Sequence, residues 1–119
     1  MKNFHLLWIL TAFLLWSCAE KDNTQPSEEI KINSLTASEN PVKAWDTAVI
    51  TVEATGDNLQ YRWEANHGNF RGGGKQIRYA AGECCVGLNT ITCTVSNSSG
   101  KVSDTIMIRV TSYFDPKNK

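Results

Sequence analysis

The chain has 119 residues, with 12 Lys plus Arg against 12 Asp plus Glu. That balance gives no reason to expect nucleic acid as a partner, because nothing in it supplies a basic face. Apolar residues make up 41% and are unevenly spread, with the densest run near the amino terminus.

Lys2 and the amino terminus supply positive charge, and Phe4 to Trp16 is a nearly unbroken apolar run. The pattern is that of a secretory signal peptide. As a helix, thirteen residues span roughly 20 Å, against about 30 Å of hydrocarbon. A transmembrane anchor is therefore not expected here, and no later segment is as apolar. The run closes on Leu15-Trp16-Ser17-Cys18, which resembles a bacterial lipobox, although Trp16 is bulky for its place. The resemblance implies that residues 1–17 are removed and that Cys18 becomes a lipid-bearing first residue. It also implies a cell-envelope location, attached to the outer membrane through lipid on Cys18.

Residues 18–29 contain no large apolar side chain and form a flexible tether. The eleven residues after Cys18, Ala19 to Glu29, reach on the order of 35–40 Å when extended. Its Glu20-Lys21-Asp22 loosely resembles the surface-export signals of Bacteroidota lipoproteins. Lys2 is the one charged residue before Cys18, so the mature chain carries 11 basic and 12 acidic residues.

The remainder reads as strands and turns. Ile30, Ile32 and Leu35 mark a first strand, followed by a turn at Glu39-Asn40-Pro41-Val42. Residues 48–54 are rich in β-branched side chains, with Ala48, Ile50, Val52 and Ala54 on one face. After the break at Gly56-Asp57-Asn58, Leu59, Tyr61 and Trp63 alternate with Gln60, Arg62 and Glu64. Asn66-His67-Gly68-Asn69 is a turn, Phe70 opens a short edge segment, and Arg71-Gly72-Gly73-Gly74-Lys75 is a loop. A strand over 76–80 puts Ile77 and Tyr79 together. Residues 90–95 place Ile91, Cys93 and Val95 on one face. Asn97-Ser98-Ser99-Gly100 turns the chain into a last strand at 102–110, with Ile106, Ile108 and Val110 aligned.

Six or seven short strands in about ninety residues predict an all-β fold, a single antiparallel β-sandwich. Its expected core is Trp63, Tyr61, Ile50, Val52, Ile91, Val95, Ile106 and Ile108. Several of these segments resemble a PKD or Ig-like domain of bacterial surface proteins: Leu35 to Val42, Tyr61-x-Trp63, Ile91-x-Cys93-x-Val95, Asn97 to Gly100, and Ile106-x-Ile108-x-Val110. The resemblance covers residues 30–111, leaving 112–119 as a C-terminal tail. It implies that Trp63 is the central core residue and that Cys93 lies on the strand facing it. The cysteine pair that bridges many such domains across the sheets is missing, since residues 48–54 hold none.

With Cys18 assigned to lipid, Cys84, Cys85 and Cys93 remain, and export favours oxidation. The expected bridge is Cys85–Cys93, by a turn that lets the chain double back, with Cys84–Cys93 as competitor. A vicinal Cys84–Cys85 bond is a strained alternative. A zinc site adding His67 matches none of the usual ligand spacings, so no metal or cofactor is expected.

Catalytic signals are lacking. His67 is the only histidine after the signal, no Gly-x-Ser-x-Gly elbow is present, and the carboxylates are scattered. No nucleophile, base and orienter can be assembled, so no enzyme is expected. Arg71 to Lys75 lacks the spacing of a phosphate loop. Asp46, Asp57 and Asp104 lie near turns but show no calcium-loop pattern. Trp45, Phe70, Tyr79, Tyr113 and Phe114 are aromatic candidates for stacking on sugars; Trp45 and Phe70 are the foremost contacts, and Trp45 sits in a polar turn. The expected partner is therefore an envelope protein or a glycan, met by a non-catalytic binding or spacer domain.

Overall fold

The computed structural model describes residues 29–118. The expected signal peptide, the lipid-bearing Cys18 it implies and all of the expected tether but Glu29 lie outside the described residues. Eight strands follow in order: β1 Lys31–Ala37, β2 Val42–Lys43, β3 Thr47–Thr55, β4 Gln60–Ala65, β5 Asn69–Gly73, β6 Gln76–Ala80, β7 Gly87–Asn97 and β8 Gly100–Thr111. A 3₁₀ turn, Glu83–Cys85, joins β6 to β7. The strands form two four-stranded sheets, ordered β1-β3-β6-β5 and β2-β8-β7-β4. All pairs are antiparallel except β2 with β8, a two-residue parallel match at the end of the second sheet.

The alternating apolar residues drive this arrangement, because one face of each sheet must leave water. In β3, Ala48, Ile50 and Val52 are fully buried. Ile77 and Tyr79 of β6, Ile91, Cys93 and Val95 of β7, and Ile108 and Val110 of β8 meet them between the sheets. Tyr61 and Ile106 lie at the margin, half-buried and packed against the same cluster. The irregular spacing of Ile30, Ile32 and Leu35 reflects a register shift between Ile32 and Ser34, where an extra residue returns the apolar side chains to one face.

Trp63 is 7% exposed and stands directly beside Cys93 in the neighbouring strand. Its indole N–H donates to the Gly74 carbonyl at 2.9 Å. This bond reaches from the second sheet to the β5–β6 turn of the first. The segment before β2 is held by Asn40. Its amide donates to the Met107 carbonyl at 2.8 Å and accepts from the Arg109 N–H at 2.9 Å. Asn40 thereby continues the β2 pairing along the rim of β8.

Two expectations are corrected. The bridge is neither Cys85–Cys93 nor Cys84–Cys93: Cys84 and Cys85 pair with each other, and Cys93 is free and buried. No turn separates Cys85 from Cys93. The chain enters β7 at Gly87 and runs straight, so Cys93 lies roughly 20 Å further along. A disulfide requires Cα atoms within about 7 Å. The adjacent cysteines instead share the 3₁₀ turn, which the buried amide of Asn89 closes by donating to the Cys85 carbonyl at 2.7 Å. The second correction concerns Arg71-Gly72-Gly73. These residues are strand, the outer half of β5, and only Gly74 and Lys75 make the turn.

Candidate functional site

Trp45 sits between β2 and β3, where the chain crosses from one sheet to the other. Ala44 before it is fully buried, while Trp45 is 58% exposed. Its backbone has φ 67°, a left-handed conformation that costs a non-glycine residue roughly 1–2 kcal/mol. Backbone hydrogen bonds hold it: the Ala44 N–H donates to Thr111, the Trp45 N–H to Ala81 and the Asp46 N–H to Lys43, at 2.8, 2.8 and 3.0 Å. A Cβ placed on Gly82 would lie 3.1 Å from the Trp45 indole nitrogen. The absence of a side chain at Gly82 therefore lets the indole lie close over the backbone.

A groove of about 500 Å³ opens beside this indole on the outer face of the first sheet. Register explains its lining. Thr47, Ala80 and Asn69 form one row across β3, β6 and β5; Val49, Arg78 and Arg71 form the next. Side chains two residues apart share a face, so Asn69 and Arg71 point the same way, as do Ala80 and Arg78. Ala80, Ala81 and Gly82 are small and leave the space open.

The groove gathers only part of the expected aromatic set. Phe70 alternates with Asn69 and Arg71 and is paired with Tyr79, so it faces the inter-sheet side at the edge, 37% exposed. Trp45 and Phe70 therefore do not share a surface. Tyr79 is wholly buried; its hydroxyl donates to the His67 carbonyl at 2.8 Å, and burial raises its pKa. It is core, not a stacking residue. Tyr113 and Phe114 do join Trp45. The three rings meet edge to face, with centroids 5.5 to 6.3 Å apart, the arrangement that aromatic quadrupoles favour. Lys43 places its ammonium 5.1 Å from the centre of the Tyr113 ring.

The residues after β8 are fastened by Glu83. Its carboxylate accepts from the Ser112 hydroxyl and from the Tyr113 N–H. This clamp was not legible in sequence, because its partners are about thirty residues apart. His67 is exposed in the β4–β5 turn. Among the described residues no group of three His, Cys, Asp or Glu is placed to hold a metal ion. Burial, and then the neighbouring Asp104, push the Cys93 thiol up to about 11.

Fold and surface together define an Ig-like all-β sandwich with an open groove on one sheet. No family model and no curated protein matches the chain. Among solved structures the chain is similar to a chimeric titin Z1Z2 functionalized with a KLER exogenous peptide from decorin. The TM-score is 0.55 at 11% identity, over 74% of this chain and 99% of that one. At that identity the likeness speaks for the fold alone.

Proposed function

We propose that this chain is a lipid-anchored protein of the cell envelope that displays one Ig-like sandwich as a non-catalytic binding or spacer domain. The observation that carries the reading is the succession of parts. An apolar run ends on Leu15-Trp16-Ser17-Cys18, a polar stretch follows, and a sandwich begins at about residue 30. Several acyl chains on Cys18, each buried methylene contributing roughly 0.8 kcal/mol, hold such a protein at a bilayer. The tether gives the domain reach, and its loops, groove and sheet edges meet a partner. Labelling with radioactive palmitate tests the anchor: the wild type takes up label and Cys18→Ala does not. Equal labelling of both refutes it.

A second reading, a carbohydrate-binding accessory lipoprotein, is favoured by one observation. Trp45 is exposed on the rim of a groove and is held in a left-handed backbone conformation, and such strain concentrates at ligand sites. A glycan array tests it. Retention of a polysaccharide that is lost in Trp45→Ala supports it, and no retention of any glycan removes it.

A further inference from the structure

We propose that the groove beside Trp45 takes an acidic glycan, a polysaccharide bearing uronic-acid carboxylates, with Arg71 and Arg78 as the carboxylate-recognising pair. The inference rests on the carbohydrate reading and narrows it to one class of sugar. Arg71 and Arg78 are direct cross-strand partners on β5 and β6. Their Cβ atoms stand roughly 5 Å apart, and like charges placed so oppose folding. Neither has an ion-pair partner among the described residues; the pair found there, Arg62–Glu64, lies on the other sheet. Val49 is the next residue in their row, and β5 is the edge strand of its sheet among the described residues. Among the described residues no carboxylate lines the groove, although Asp46 stands in sequence between two lining residues, Trp45 and Thr47. Two guanidinium groups thus share one small surface without a counter-ion from the described protein. Planar guanidinium forks match carboxylates in bidentate geometry.

The neighbours of this pair identify the rest of the ligand. Trp45 offers an aromatic face against which the C–H face of a pyranose stacks. Asn69, on the same face as Arg71, offers an amide that both donates to and accepts from hydroxyls. The small floor leaves room within the usual range of ligand sites. A nucleic acid fits less well. Residues 29–118 carry nine basic and nine acidic side chains, and only two of the basic ones line the groove. A strand of phosphates calls for a longer positive track and more phosphate contacts.

The test uses the full mature protein purified in detergent, with affinity electrophoresis and calorimetry against polygalacturonate and its fully methyl-esterified form. A single-stranded DNA oligonucleotide serves as a third probe. Binding of polygalacturonate is expected to exceed that of the ester by at least about tenfold and to weaken with added salt. Arg71→Gln and Arg78→Gln should each lose roughly tenfold or more, since hydrogen bonds to charged groups are the strong ones. Arg71→Lys, which keeps the charge but not the fork, should fall between. Both arginines are exposed, so circular dichroism should stay as in the wild type, and the melting temperature should hold or rise slightly in the glutamine variants as the cross-strand repulsion is relieved. Equal binding of the acid and the ester, or unchanged binding in both glutamine variants, overturns the inference while leaving the carbohydrate reading in place. Tighter binding of the oligonucleotide than of polygalacturonate also overturns it. No binding of either polymer, with an empty glycan array, overturns both.

Discussion

Replacing Trp63 by Phe removes the one indole hydrogen bond that reaches from the second sheet to the β5–β6 turn. The lost N–H···O bond at 2.9 Å costs about 1 kcal/mol, with the Gly74 carbonyl left short of a partner. The smaller ring leaves ~40 Å³ unfilled, and at ~24 cal/mol per Å³ that adds about 1 kcal/mol. Trp63 is nearly buried and its strand is clamped by β7, so collapse around the gap is limited. The expected loss is about 2–3 kcal/mol, or roughly 10–20 °C in melting temperature for a domain of this size. Urea unfolding followed by far-ultraviolet circular dichroism measures it without relying on tryptophan fluorescence. The Val52 N–H donates to Lys75 at 2.9 Å in the same turn, so its amide should exchange faster in the variant. A loss below about 0.5 kcal/mol with an unchanged m value, and unaltered exchange at Val52, would refute the reasoning that Trp63 ties the sheets.

Mass spectrometry of unreduced digests should show Cys84 linked to Cys85, with Cys93 alkylated only after denaturation; alkylation of Cys93 in the native protein contradicts its burial. Because the fold favours the neutral Cys93 thiol, its contribution to stability is full below the ordinary value of 9. That contribution is lost as pH rises from about 9 to about 11, and Cys93→Ala should flatten that limb of the pH–stability curve. At Gly68, φ is +86° and a Cβ would lie 2.7 Å from the Tyr79 hydroxyl and 2.9 Å from the Ala80 carbonyl. Gly68→Ala should therefore destabilise by more than about 1.5 kcal/mol in chemical denaturation, and a neutral result would contradict this packing. Glu83→Gln should weaken the hold on residues 112–118, seen as faster limited proteolysis after Tyr113 with little change in global stability; unchanged cleavage counts against the clamp.

The sandwich was legible where short-range alternation carries the information. Leu59, Tyr61 and Trp63 declared the inward face of β4, and Ile91, Cys93 and Val95 that of β7, because period two is set by the strand itself. What stayed hidden depends on pairing between distant segments. Three glycines in a row look like a loop, yet Gly72 and Gly73 complete β5 by bonding to β6. Only that register sets Arg71 opposite Arg78 and creates the groove. The cysteine spacing misled for a related reason. Eight residues are enough for a hairpin, but β7 extends back to Gly87 and leaves no turn between Cys85 and Cys93. The exposure of Trp45 was legible, since a large aromatic in a polar turn has no obvious core position. Its ring partners Tyr113 and Phe114 follow β8 in the chain, and the β2–β8 pairing brings that segment to the end of β2, just before Trp45.

The central claim, that an Ig-like domain is held at the envelope by lipid on Cys18, is met most directly by intact-mass spectrometry of the protein extracted from membranes of cells expressing the full chain. The account predicts a polypeptide that begins at Cys18, carries the added mass of several acyl chains on that residue, and partitions into detergent. A soluble polypeptide beginning elsewhere, or one with an unmodified Cys18, would contradict it.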